Sequence, residues 1–156
     1  MRILTNCVEQ KDWEAAHGLA AAVEDYLDRH GHWADRVIAN EVGLIASWQL
    51  GRPSEGAWMG NLGDTYRTMG HAKWAIEHFQ KALTTARQSN DRHGEANSLG
   101  NLGLAYRDLG QIDRAQEYLQ EAHVILEDIR APSAGLVENW LLELSEWQEE
   151  QAAFDK

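Results

Sequence analysis

The sequence has little of several residue types, and each scarcity excludes a class of protein. It contains one cysteine, Cys7, and two prolines, Pro53 and Pro132. A single cysteine excludes an intrachain disulfide and a zinc site built from cysteines, and scarce proline permits long helices. No apolar run approaches the roughly 20 residues of a membrane helix, and residues 1–10 lack the apolar stretch of a signal peptide. We therefore expect an intracellular, cytoplasmic chain that does not use a membrane as partner.

Positive charge is also scarce. The chain has 14 Lys and Arg against 25 Asp and Glu, which gives a formal net charge of −11. Nucleic acid or an anionic membrane would have to be approached against this field. The length of 156 residues and the 44% hydrophobic content are typical of one ordinary globular domain. The composition therefore predicts a single domain over residues 1–156 with neutral or basic protein partners and no nucleic acid.

The strongest pattern in the chain is an internal repeat. The segment 60–63, Gly-Asn-Leu-Gly, recurs at 100–103, an offset of 40 residues. The same offset relates Tyr66 to Tyr106, Arg67 to Arg107, Gly70 to Gly110, Ala75 to Ala115, Glu77 to Glu117 and Ala82 to Ala122. Self-similarity at a fixed period of this length predicts a stacked array of supersecondary units.

Each unit is predicted to be a helical hairpin. Apolar residues recur at helical spacing on both halves of the unit, and Gly70 and Gly110 stand where the first helix must end. Gly63 and Gly103 lie inside that helix, where each costs about 1 kcal/mol relative to alanine. We expect close approach of the paired helix to offset this cost, with small residues on the facing side: Ala75, Ala82, Ala115 and Ala122.

The repeated positions resemble the tetratricopeptide repeat. One copy reads Leu62, Gly63, Tyr66, Gly70, Ala75, Phe79, Ala82, and the other reads Leu102, Gly103, Tyr106, Gly110, Ala115, Leu119, Ala122. The period and the Asn-Leu-Gly segment are similar to the variant in kinesin light chains, Pins-type polarity adaptors and bacterial NB-ARC regulatory ATPases. The resemblance implies an all-α, right-handed solenoid of stacked helical hairpins that binds proteins or peptides.

About three repeats and a capping helix are predicted along the chain. Residues 12–50 form a degenerate first repeat, in which Arg36 takes the position of Ala75. Residues 54–90 and 94–130 form the second and third repeats. Residues 133–153 form a capping helix whose glutamates face solvent, because the end units of a solenoid must bury one face and solvate the other.

The first helices of such repeats line the concave side, which makes their solvent-facing residues the predicted peptide-binding site. Asn61 and Asn101 suit an extended peptide, because each amide offers a donor and an acceptor; alternatively, they bond neighbouring helices. Arg67 and Arg107 suit a carboxylate ligand or, alternatively, pair at the surface with Asp64, Asp108 or Asp113. The complete predicted set is Asn61, Asp64, Arg67, Asn97, Asn101, Leu104 and Arg107.

No residue pattern predicts catalysis, a metal site or a cofactor. None of the seven histidines has a partner histidine four residues away, the spacing that places two ligands on one helical face. Cys7 lies in an end expected to fray, and six of the seven tryptophans, all but Trp48, fall mostly on positions predicted to be core. Two other functions stay open: a regulatory segment of a larger bacterial signalling protein, and a self-association module that forms a homo-oligomer.

Overall fold

The structure is a computed structural model that describes the backbone of residues 1–154 and the side chains of residues 1–150. Within residues 1–154 it contains eight α-helices and no strand. The helices are α1 (Arg2–Glu9), α2 (Trp13–Arg29), α3 (Trp33–Leu50), α4 (Glu55–Thr68), α5 (Ala72–Ser89), α6 (Arg92–Asp108), α7 (Ile112–Asp128) and α8 (Ala134–Phe154). Residues 155 and 156, the last two of the predicted domain, lie outside the described residues.

The helices pack as successive hairpins. α2 packs on α3, α4 on α5 and α6 on α7, and the second helix of each hairpin also packs on the helix that follows it. The predicted all-α solenoid of helical hairpins is confirmed. The expectation of a frayed beginning is wrong, because α1 packs against α2 and α3 and buries Leu4, which is 3% exposed.

Glycines end the first helices of the second and third hairpins, as predicted. Gly70 and Gly110 have φ angles of 80° and 70°, in the left-handed region that L side chains rarely adopt. The amide of His71 then donates to the carbonyl of Tyr66 at 2.8 Å. These bonds close each helix and turn the chain into α5 or α7.

The glycines inside α4 and α6 mark the closest contacts within the hairpins. A Cβ on Gly63 would lie 2.5 Å from the ring of Phe79, and a Cβ on Gly103 would lie 2.6 Å from Cγ of Leu119. The predicted close approach is therefore present, and large residues of the paired helix, not only its alanines, fill the space. This packing offsets the low helix propensity of glycine.

The apolar core consists of two clusters. The larger cluster joins α5, α6, α7 and α8, and the smaller one joins α1, α2, α3 and Trp58 of α4. Trp58 is buried, but the core prediction is wrong for Trp74 and Trp147, which are 55% and 45% exposed. Helical spacing gives the direction of a side chain and not whether a neighbouring helix covers it. None of the helices within the described residues has the length and apolarity needed to cross a membrane.

Candidate binding groove

A groove of about 540 Å³ lies along the first helices α4 and α6 and reaches α8. Its walls come from α4, α5, α6 and α8, with one residue of α7, and the stacking of the hairpins brings these helices together. Its lining includes Gly60, Asn61, Asp64, Asp91, Asn97, Gly100, Asn101, Leu136 and Trp140. We call this feature the groove.

Asn61 and Asn101 occupy equivalent positions in the groove, on α4 and α6. Both are half-buried. The backbone carbonyl of Asn61 accepts a hydrogen bond from Oγ1 of Thr65 at 2.7 Å, but neither side-chain amide bonds to another of the described residues. The alternative in which these amides bond neighbouring helices is therefore not the arrangement in this structure.

Two glycines and a locally bonded asparagine also line this part of the groove. A Cβ on Gly60 would meet no atom within 4 Å, and a Cβ on Gly100 would lie 4.0 Å from the ring of Trp140. Asn97 is exposed, and its amide lies 3.1 Å from Nδ1 of His93. The groove therefore leaves space for a ligand backbone beside Asn61 and Asn101.

The groove is acidic. Asp64 and Asp91 line it, whereas no lysine or arginine does so among the residues that the structure describes. Arg36 of α3 and Arg67 lie 3.2 Å and 3.7 Å from the carboxylate of Asp64 and balance much of its charge, whereas Asp91 has no arginine or lysine partner among the described residues. The local field therefore favours a neutral or basic ligand over an acidic one.

Arg67 and Arg107 lie outside the groove lining and are partnered within the protein. The guanidinium of Arg67 lies 3.2 Å from Asp108 and 3.7 Å from Asp64, and that of Arg107 lies 3.8 Å from Asp108. This is the arrangement of the alternative hypothesis, in which aspartates neutralise both arginines. A carboxylate ligand would have to displace these contacts.

These contacts form a continuous ionic chain across three hairpins. Arg36, whose side chain is 6% exposed, lies 2.7 Å from Glu24 and from Asp28 of α2 as well as near Asp64. Burial disfavours the charge of Arg36, but the bonds to Glu24 and the nearby carboxylates raise the pKa of Arg36 above its ordinary value. The ionic chain consists of Glu24, Asp28, Arg36, Asp64, Arg67, Asp108 and Arg107.

The predicted exposure of Leu104 is wrong. Leu104 is 7% exposed and presents no side chain to the groove, whereas Asp64, at the equivalent position in α4, does line it. Position 104 of α6 therefore belongs to the protein interior, whereas the equivalent position of α4 does not.

Sequence analysis missed the part of the groove that α8 supplies. Leu136, 51% exposed, and half-buried Trp140 both line the groove, although α8 was expected only to solvate the end of the solenoid. Trp140, Leu144 and Trp147 repeat the spacing of Leu99, Gly103 and Tyr106 in α6. That spacing was the available signal, because first helices face the concave side.

A second polar cluster resembles a nucleophile and base but lacks the required proton arrangement. Nε2 of His17 lies 3.4 Å from Oγ of Ser54, and Nδ1 lies 3.1 Å from a guanidinium nitrogen of Arg52. Because arginine only donates, Nδ1 accepts and Nε2 carries the proton, so His17 is not placed to remove a proton from Ser54. In the part of the chain that the structure describes, no group of three or more potential ligands is positioned to hold a metal ion.

Comparisons with known proteins give one match to a family model and several matches to solved structures. A family model described as tetratricopeptide repeat matches residues 54–128, the segment that contains the glycine contacts of the second and third hairpins. This match covers just under half of the chain and, together with the similar solved structures, supports a tetratricopeptide-repeat protein. Repeats of this kind stack into concave surfaces that typically bind proteins. No curated protein matched the sequence.

Solved structures share the fold of this tetratricopeptide-repeat chain. BtubC (BKLC) from P. vanneervenii is similar with a TM-score of 0.76 and 18% identity, over 92% of this chain and 62% of that one. The apo form of RapI has a TM-score of 0.74 and 15% identity, over 94% and 62%. The nearly identical TPR-like repeats of a kinesin light chain candidate from Podosopora anserina have a TM-score of 0.59 and 16% identity, over 99% and 89%. The chain thus spans 62% of the length of BtubC and of RapI.

Proposed function

We propose that the chain is a protein-interaction module that binds an extended segment of a partner protein in the groove and has no catalytic activity of its own. The observation that carries the proposal is the pair Asn61 and Asn101, half-buried at equivalent positions with side-chain amides that no described residue satisfies. A half-buried amide without a partner loses part of its solvation and gains most from a ligand that supplies both donor and acceptor.

An extended backbone suits this pair. Each amide has the donor and the acceptor that pair with the peptide groups of a ligand, and Gly60 and Gly100 leave room for a backbone beside them. The exposed part of Leu136 and the ring of Trp140 supply an apolar wall at the α8 end of the groove. The proposed ligand is therefore a peptide held by its main chain, with an apolar side chain against α8.

The charge of the groove limits the sequence of this ligand. Asp64 and Asp91 favour neutral or basic peptides, and the arginines of the ionic chain are already bonded to aspartates. We therefore propose a neutral or basic segment rather than the carboxylate-bearing one that Arg67 and Arg107 would hold. The roles of a regulatory segment in a larger signalling protein and of a self-association module stay predictions.

Selection of displayed random peptides on the full chain, followed by affinity measurement, tests the proposal. We expect the double variant Asn61→Ala and Asn101→Ala to bind the selected peptide at least about tenfold more weakly, because the loss of about 1.4 kcal/mol corresponds to that factor. The matched control changes Asn6 and Asn139 to alanine, which removes two exposed asparagines outside the groove. Equal affinity of the two double variants, with helicity unchanged, would place recognition elsewhere.

A further inference from the structure

The last helix, α8, differs from α4 and α6 in what covers it. α4 and α6 each pack between the second helix of the preceding hairpin and that of their own. α8 packs on α7 through Val137 and Leu144, which are 4% and 3% exposed, and through a bond between Gln148 and Gln116. Trp140 approaches α6, since a Cβ on Gly100 would lie 4.0 Å from its ring, but among the described residues no helix fully covers the remaining sides of α8.

One of these uncovered sides is apolar. Leu136, Trp140 and Trp147 are four and seven residues apart, which places them along one side of a helix with 3.6 residues per turn. Leu136 and Trp147 are 51% and 45% exposed, and Trp140 is half-buried. We call these three residues the α8 stripe.

Carboxylates accompany the α8 stripe, and no lysine or arginine within residues 1–150 forms an ion pair with them. Glu143 lies three residues after Trp140 and four before Trp147, and Glu150 lies three after Trp147, so both share its side of the helix. The helix carries five glutamates and no lysine or arginine, and none of the five forms an ion pair with another described residue. Glu24 and Glu95, by contrast, are each paired with arginine.

We propose that the α8 stripe binds an amphipathic helix of a partner protein that places apolar residues on the tryptophans and lysines or arginines beside Glu143 and Glu150. Such a helix would cover α8 as α5 covers α4 and α7 covers α6. A second copy of this chain is a poor occupant, because its net charge of −11 would meet the glutamates of α8 with the same sign. The site overlaps the groove at Leu136 and Trp140 and extends beyond it, since Trp147, Glu143 and Glu150 do not line the groove.

Two synthetic helical peptides of about 18 residues, five helical turns, test this proposal on the full chain. One has leucines on one face and lysines on the other, and its counterpart has glutamates in place of the lysines. We expect the lysine peptide to bind in an anisotropy titration and the glutamate peptide not to bind. Trp147→Ala, and separately the pair Glu143→Gln and Glu150→Gln, should each weaken binding about tenfold or more.

Matched variants distinguish recognition by the α8 stripe from attraction to net charge and from self-association. Trp48→Ala removes a tryptophan of α3 that is 69% exposed, and the pair Glu117→Gln and Glu127→Gln makes the same change of charge on α7; neither should alter the affinity. An equal effect of both charge pairs would mean attraction to net charge alone and would overturn the proposal. So would a dimer by light scattering that Trp147→Ala abolishes, because the stripe would then join two copies. The Asn61→Ala, Asn101→Ala variant should bind the lysine peptide with unchanged affinity, because the α8 stripe does not use the amides of the groove.

Discussion

At three interior positions the first hairpin has polar residues where the second and third hairpins have apolar ones. When Gly31 is aligned with Gly70, Glu24, Arg36 and Asn40 take the positions of Gly63, Ala75 and Phe79. A glycine contacts a ring in the second hairpin, whereas a carboxylate contacts a guanidinium at the same place in the first. The first hairpin therefore keeps the fold of the family with a different set of interactions.

This difference changes how each hairpin responds to substitution. Close packing of apolar residues loses stability in proportion to the volume removed or added. A buried ion pair has a smaller net benefit, but loss of one partner leaves the other desolvated and unpaired. Substitutions in the first hairpin should therefore give effects that depend on charge, and those in the other hairpins should give effects that depend on size.

The largest expected effect is that of Arg36→Met. It leaves Glu24, Asp28 and Asp64 without their shared cation, and we expect the free energy of unfolding to fall by about 3 kcal/mol, measured by urea denaturation. Arg29→Met is the control, because the ion pair of Arg29 with Asp25 is largely exposed, at 70% and 72%, and its loss should cost less than about 0.5 kcal/mol. Similar losses in both variants would contradict the difference between buried and exposed charge.

Two glycines of α4 should respond in opposite directions to alanine. Gly63→Ala places a Cβ against Phe79 and should destabilise the chain by about 2 kcal/mol. Gly60→Ala meets no atom within 4 Å and should stabilise it by up to about 1 kcal/mol through helix propensity. Thermal unfolding of the pair measures both, and a stabilising Gly63→Ala would show that the second hairpin tolerates added volume.

Asn40→Leu should make the first hairpin more like the second. Asn40 is fully buried, and neither atom of its amide has a hydrogen-bond partner among the described residues. Leucine of similar size removes the cost of burying that amide, so we expect a gain of about 1 kcal/mol in the free energy of unfolding. A loss of stability in urea denaturation would mean that the amide is hydrogen-bonded in solution.

The smallest expected effect concerns two equivalent aromatic pairs. His78 stacks on Tyr66 in the second hairpin, as Tyr118 stacks on Tyr106 in the third, with ring centroids 5.3 Å apart in both. Burial, with a contribution from Lys81, lowers the pKa of His78 below its ordinary value of 6.5, against an opposing contribution from Glu77. As the pH falls below 6.5, His78 therefore binds a proton in the unfolded chain before it does so in the folded chain. The stability contributed by neutral His78 is lost as the pH falls further.

Replacement of His78 by tyrosine should remove this loss. We expect the melting temperature of the His78→Tyr variant to fall less than that of the wild type between about pH 7 and pH 5. Other groups titrate in both proteins, so the difference between the two curves is the quantity to measure. Parallel curves would show that His78 does not contribute to the acid sensitivity.

The repeat predicted the fold because its glycines, alanines and aromatic residues recur in register and restrict how helices can pack. It did not predict α1, which lies outside the repeat and is held by the burial of Leu4. The amides of Asn61 and Asn101 were found by their equivalence between repeats. For Arg67 the sequence left open whether an aspartate of the chain or a ligand is the partner, because Asp108 lies on another helix 41 residues away. Leu104 shows the same limit, since its burial depends on the helices around α6.

The contact between Trp58 and Gly43 has a consequence for the modularity of the chain. Trp58 belongs to α4, yet its indole packs with the core of α1, α2 and α3, and a Cβ on Gly43 would lie 2.6 Å from it. A fragment that ends in the loop around Pro53 would lack the largest buried side chain of its own core. The segment that must be kept together for the first hairpin to fold is therefore longer than one sequence repeat.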